Sequence, residues 1–392
     1  MQTSIKERSI PDYLLYGFAI SSIGGPLALV TMNLLNQPGG LPLGIAAFIA
    51  AILFAFPIMV WYGYSEKIAS SGGLYSFVKE AAGEKIAKAQ GWIFILSYFL
   101  YLPYTVTYGI YFLLPVVWPG YAPYAPFLEM LVPLAICAIM LKGIKASLKA
   151  MLAIAVVQVV VLLIFIVGIY AKTGVAAASQ STTASLPNLF GGASGIALLF
   201  ICSSLIVFLG GEAKGGTKSM KKAILYPFIL VAVFIVLAAF AISRMPQSLT
   251  NSANQTELPG FIVSTYYLGH NAAIVVGILA IVSTFGIIIA EFVALSRLSY
   301  VMITRDMNKI LIIISALFLI FDAASLLNPV AFYNYLILPS LLALFISQLI
   351  VFIVYPIYKK RKSQLGAMDI AIATVASLLM IYGLYMVISG IL

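Results

Sequence analysis

SSIGGPLAL, residues 21–29, interrupts the first apolar stretch of the chain, and its reading decides the rest. Gly24 and Gly25 release the backbone from helical geometry. Pro26 lacks an N–H and has its φ preset for the first turn of a new helix. The pattern is that of a helix that stops and restarts. Counted at about 1.5 Å per residue from Tyr13, Gly24 lies roughly 16 Å along the axis. A break at that depth matters only if the segment is surrounded by lipid, which the remainder of the sequence establishes.

Hydrophobic residues occupy 63% of the 392 positions and charged residues 9%, too few to build a water-facing surface. The apolar positions fall into eleven segments, at about 13–36, 41–63, 90–117, 125–141, 147–171, 192–211, 223–243, 271–298, 310–327, 331–357 and 367–391. Each is long enough to approach or cross a hydrocarbon core of about 30 Å as a helix. The first is too long for a signal-peptide core and has no small-residue cleavage site, so it reads as retained. The net charge of +10 raises the question of a nucleic-acid partner, and the placement of the charges answers it. With the N-terminus in the cytoplasm and the C-terminus outside, only Lys172 and Arg244 of the 22 basic residues fall on the outer side, as the positive-inside rule requires. The expected location is the cell membrane, with no nucleic-acid partner.

A second interruption lies in segment six, at FICSSL, residues 200–205, where serines compete for local backbone groups. By the same count it is again roughly 15 Å deep, and segment six runs opposite to segment one. Two antiparallel interrupted helices, five segments apart, match an inverted repeat with a site at the midplane. Gly and Pro also occur in ordinary membrane helices, where they permit close packing or a kink. The expected fold is all-α, about eleven transmembrane helices in a five-plus-five inverted repeat with helices 1 and 6 interrupted. The repeats are placed at 12–172 and 190–358, with an extra helix at 366–391. The stretch 74–88, with apolar and charged residues at helical spacing, reads as a helix along the cytoplasmic surface.

Five short patterns, in order, resemble the amino acid, polyamine and organocation transporter superfamily. They are SSIGGPLAL itself, SGGLYSFVKEAAGEKIAKAQGW at 71–92, LKGIKASLKA at 141–150, GEAKGGTKSMKKAI at 211–224 and SRLSYVMITRD at 296–306. The chain departs from that family's usual twelve helices, and the connector at 211–224 lacks its two usual prolines. The resemblance implies transport by alternating access, the broken helices moving against a scaffold of helices 3, 4, 8 and 9.

At the helix-one break, Ser22, Ile23, Gly24 and Gly25 would offer free N–H groups and a helix N-terminus to a carboxylate. Around the second break, Cys202, Ser203 and Ser204 would offer carbonyls to an ammonium group. Together they describe an amino acid zwitterion. Tyr98, Tyr101, Tyr104 and Tyr108 form a stripe on helix 3 at three- and four-residue spacing, which reads equally as packing; Tyr101 and Tyr104 are the side-chain candidates. Phe200 and Phe208 flank the second break as candidate gates. For coupling, Ser283 and Thr284 on helix 8 are candidate Na⁺ ligands. Gln158 stands, by the resemblance, where some members carry a lysine in place of the ion. Glu291 is an intramembrane carboxylate, a type of group that costs about 3 kcal/mol at a helix centre. Its distance of about 30 Å from Asn271 puts it in the inner vestibule near water, as a candidate for proton coupling. Asp322 and Glu129 fall near outer helix ends.

The expected function is therefore secondary transport of a neutral amino acid, coupled to Na⁺ or H⁺, with no cofactor. A polyamine or nucleobase carrier, or an uncoupled exchanger, is the alternative on the same fold. A lipid-modifying membrane enzyme would need a cluster of His, Asp or Glu, and a single histidine with scattered acids does not provide one. Two cysteines exclude a disulfide framework or a four-thiolate metal site.

Overall fold

The structure is a computed structural model that describes residues 8–23, 43–174, 186–246, 248, 249 and 256–390. Helix α1 is Asp12–Ile23, α2 Leu43–Ser65, α3 Gly73–Ala82 and α4 Glu84–Tyr108. A π-helical turn at Gly109–Leu113 carries α4 on to Val117. Then follow α5 (Ala125–Leu141), α6 (Ile144–Thr173), α7 (Leu186–Leu198), α8 (Gly216–Ile242), α9 (Pro259–Leu268) and α10 (His270–Met302). The chain closes with α11 (Met307–Ser325), α12 (Pro329–Ile353), α13 (Tyr355–Arg361) and α14 (Ala367–Ile388). Ten stretches among the described residues are long and apolar enough to span a membrane, and they coincide one for one with segments two to eleven of the sequence. The first segment is described only up to Ile23. Gly24, Gly25 and Pro26, on which the expected restart rests, lie outside the described residues.

The second interruption is present, and it is larger than six residues. The α-helix stops at Leu198, and the N–H groups of Leu199 and Phe200 turn to carbonyls three residues back. Ile201–Leu209 continues as a 3₁₀-helix. Runs of this geometry usually last three or four residues, and a nine-residue run inside a membrane span marks a hinge or a functional interruption. Ser203 contributes to it directly, since its hydroxyl donates to the Phe200 carbonyl at 2.6 Å.

Packing separates two groups of helices. α4, α5, α10 and α11 pack on one another, while α2 packs on α7 and α8. α1 runs between the groups, against α6, α8, α10 and the 3₁₀ stretch. Where α4 meets α12, the Ser97 hydroxyl donates to the Ser340 carbonyl and the Ser340 hydroxyl to the Ser97 carbonyl, each at 2.9 Å. This reciprocal bond is of the kind that small residues permit between closely approaching membrane helices.

One expectation about the connecting segments changes. The surface helix does not continue from 74 to 88. It ends at Ala82 because Gly83 adopts φ 90°, and Glu84 already begins the long spanning helix. The connection between α8 and α10 contains α9, started by Pro259 in its first turn and ended at Gly269.

Candidate functional site

α4 carries an unbroken aromatic ladder. Phe94 and Tyr98 have ring centroids 4.3 Å apart, Tyr98 and Tyr101 6.0 Å, and Tyr101 and Tyr104 4.7 Å. The stripe expected from spacing therefore exists. It faces the interrupted helix, since Phe94 packs on Phe208 with ring centroids 4.8 Å apart, and Tyr98 and Tyr101 lie near Cys202. Tyr98 is wholly buried, and its hydroxyl completes no hydrogen bond among the described residues. At the outer end of the ladder, Tyr333 of α12 closes over Tyr104, Tyr108 and Phe112, and the Tyr108 hydroxyl donates to Glu257 at 3.0 Å.

α12 adds a residue that spacing arguments passed over. Gln348 is wholly buried, its Nε2 donates to the Ser204 hydroxyl at 2.9 Å, and its Oε1 has no partner. The available signal was an amide within an otherwise apolar segment, a placement that is costly in lipid unless it serves a purpose.

Glu291 requires a correction. It does not line a watery vestibule; it is 0% exposed, both carboxyl oxygens lack a partner among the described residues, and it lies near Cys202, Tyr98, Tyr101 and Tyr104. The depth argument counted from Asn271 but not how far the helix continues. α10 is 33 residues long, and eleven of them follow Glu291. The carboxyl group thus stands in the interior beside the helix-six break, where an ionised form would need a proton or a cationic group to balance it.

The other candidates gather one layer away. Gly286 of α10 meets α1 so closely that a Cβ there would stand 2.3 Å from the Ser21 hydroxyl and 3.3 Å from Ile154 of α6. One turn from that junction are Ser283 on α10 and Gln158 on α6, both buried, the Gln158 amide without a partner among the described residues. Ser283 donates to the Leu279 carbonyl at 2.8 Å, Thr284 to Ile281 at 2.6 Å and Ser22 to Ala19 at 2.9 Å. Each hydroxyl is therefore satisfied within its own helix, with its lone pairs still available. Ile23 is buried at the last described position of α1. The two phenylalanines do not flank the tyrosines together. Phe200 packs between Phe54 and Phe228, whereas Phe208 lies on Phe94 and against Gly73.

Below the break, at the end of the bundle that carries most of the basic residues, the chain is closed by a strap. The N–H groups of Arg8, Ser9 and Ile10 bond to the carbonyls of Gly211 and Glu212, and Lys214 returns a bond to Ile10. Glu212 forms a buried ion pair with Arg297 of α10 at 2.9 Å. Near the opposite end, Glu129 and Asp322, expected to be peripheral, are both wholly buried where α5 and α11 pack on α4. Thr107 and Ser325 donate to Glu129 at 2.6 and 2.8 Å. Among the described residues no group of three His, Cys, Asp or Glu is arranged to hold a metal ion.

Comparison with solved structures shows the same fold over nearly the whole chain. MhsT in complex with L-phenylalanine superposes with a TM-score of 0.61 at 13% identity, covering 100% of both chains. A Na⁺-coupled sialic acid symporter in a substrate-bound outward-open state gives 0.59 at 12%, over 97% of this chain and 90% of that one. The manganese transporter of Eremococcus coleocola gives 0.61 at 12%, over 97% and 86%. At such identities the likeness concerns the fold, which is the inverted-repeat transporter fold expected from the two interruptions. No curated protein sequence matches the chain. The amino acid permease family, in contrast, matches residues 15–307, which include both interrupted segments and the aromatic ladder. The chain is a member of the amino acid permease family, a multi-pass membrane transporter built on the inverted-repeat fold.

Proposed function

We propose that this permease carries a neutral amino acid by alternating access, and that its side-chain contacts come from the helix-six break and the face of α4 opposite it. The observation that supports this reading is the convergence of Tyr98, Tyr101, Cys202, Ser204 and Gln348 on a nine-residue 3₁₀ interruption. Unwound backbone offers carbonyls to an ammonium group, and the helix-one break, outside the described residues, would offer N–H groups to the carboxylate. Tyrosine rings and a thiol supply an apolar wall with few polar handles, which suits an uncharged side chain better than a charged one.

Glu291 is the coupling group in this reading. With no cationic neighbour and no hydrogen bond among the described residues, it would take up a proton or meet the substrate ammonium as the site fills. Na⁺ coupling through Ser283 and Thr284 with helix-one carbonyls is the second reading, favoured by the buried, unpartnered Gln158 amide at the same level. The deciding experiment is uptake of labelled amino acids into proteoliposomes under separate pH and Na⁺ gradients, for the native protein and for Glu291→Gln. Proton coupling predicts uptake driven by an inward proton gradient and lost in Glu291→Gln. Sodium dependence that survives in Glu291→Gln would transfer the role to Ser283 and Thr284. Uptake of a polyamine or a nucleobase, with none of any amino acid, would overturn the substrate assignment.

A further inference from the structure

The basic end of the bundle contains a cavity that the transport reading leaves unused. It measures about 500 Å³ and is lined by Arg8, Lys67, Lys214, Gly211, Gly215 and Thr217 among others. A smaller cavity of about 290 Å³ adjoins it through Ala69 and Gly211 and brings in Arg305. No acidic residue lines either one.

The positive-inside rule accounts for many cations on this side of the membrane but not for their convergence here. Some lysines of the same face are matched with acids, Lys79 and Lys88 with Glu84, Lys359 with Glu66 and Asp369, and Lys362 with Glu80, while others, such as Lys142, Lys145, Lys218 and Lys222, form no ion pair among the described residues but line neither cavity. Lys67, beside Glu66 in the chain, has no acid, and neither do Arg8 and Lys214 among the described residues. Backbone donors add to the same imbalance. The N–H groups of Gly211, Gly215 and Thr217 take no acceptor among the described residues, and no side chain caps the N-terminus of the 27-residue helix α8. Three separated cations with uncompensated N–H groups at a helix start form a set of donors for an anion with several oxygens.

The lining also comes from the parts that close this end. Arg8 belongs to the strap before α1, Gly211 to Thr217 follow the 3₁₀ stretch, and Lys67 lies on the turn after α2. An anion seated among them ties the strap before α1 and the interrupted helix six to α2. We propose that this cleft binds a phosphate group, from a lipid headgroup or from a soluble phosphorylated molecule, and that its binding holds the basic-end gate shut. The gating half rests on the transport reading; the binding half does not.

The test uses the full-length protein in nanodiscs of neutral lipid, titrated with pyrophosphate at constant ionic strength set with NaCl. Binding is followed by thermal stabilisation and by protection of Lys67 and Lys214, with Lys360 as control, from an amine-acylating reagent. The expected result is saturable stabilisation and selective protection, with affinity about tenfold weaker in the Lys67→Gln/Lys214→Gln double variant. Equal stabilisation in native and variant protein, or no protection of the two lysines, overturns the site. Replacing part of the neutral lipid with phosphatidylglycerol distinguishes the sources: loss of pyrophosphate binding assigns the cleft to a headgroup, and undiminished binding assigns it to a soluble phosphate. Uptake in proteoliposomes tests the gate. Pyrophosphate presented to the basic end should slow native uptake and leave the double variant unaffected, whereas binding without an effect on uptake overturns the gating half alone.

Discussion

Gly286 shows how one position can set a helix interface. A Cβ there would displace the Ser21 hydroxyl and press on the Ile154 side chain at 3.3 Å, and the branched side chain of valine would add methyls to the same junction of α1 and α6. Gly286→Val should therefore separate α1 from α10, costing about 1–3 kcal/mol through overpacking and reducing uptake more than expression. Thermal midpoints and initial uptake rates on the same preparations check this, and a variant with native values for both would show that the approach of α1 is not required. Gln348 and Glu291 illustrate the opposite problem. Each is a polar residue in an apolar run, legible as unusual in the sequence, yet only its neighbours show whether it sits beside water or beside the interrupted helix.

At the scale of elements, the 3₁₀ stretch Ile201–Leu209 and its connector are tied to α10 by one ion pair, Glu212 with Arg297, whose side chains are 2% and 5% exposed. A buried pair of this kind contributes little net stability over an apolar replacement, but removing one partner strands the other. Arg297→Ala should destabilise the protein by about 3–5 kcal/mol. Arg297→Met combined with Glu212→Gln should recover much of that loss, because no charge is left unpaired. Denaturation midpoints for the single and double variants measure the difference. If the pair also holds the basic end closed, the double variant should expose that end more readily to thiol reagents at an introduced cysteine such as Ser71→Cys. The interruption itself was legible at FICSSL from its serines, whereas its extent to Leu209 was not, because the residues from 205 to 209 are all apolar and carry no local reason to leave α-geometry.

For the whole molecule, the distribution of basic residues predicts a testable orientation. Cys137 is buried, and Cys202, which lies in the proposed site, is replaced by alanine before single exposed cysteines are placed. A cysteine at Lys360 should be labelled by a membrane-impermeant reagent only after the cells are opened. One at Thr265, in α9 at the opposite end, should be labelled in intact cells. The reverse pattern would invert the assignment of N-terminus inside and C-terminus outside. The two packing groups make a further expectation at this scale: a crosslink between α4 and α5 should leave uptake intact, since both belong to one group, whereas one between α1 and α10 should stop it.

The sequence by itself determined what each segment must do alone. Lipid offers no hydrogen bonds, so every span must be apolar enough and long enough to satisfy its own backbone; eleven spans were counted from that requirement, and ten of them coincide with spans among the described residues. The serines of helix six and the bias of lysines and arginines were local in the same sense. The tertiary structure decided which polar residues meet, because those contacts join positions far apart in the chain: Gln348 with Ser204 across 144 residues, Arg297 with Glu212 across 85. Hydropathy is nearly uniform around these helices and does not specify which face turns inward. Only packing of the whole bundle gives Glu291 its place beside Cys202 and brings Arg8, Lys67 and Lys214 together with no acid among the described residues that line their cleft.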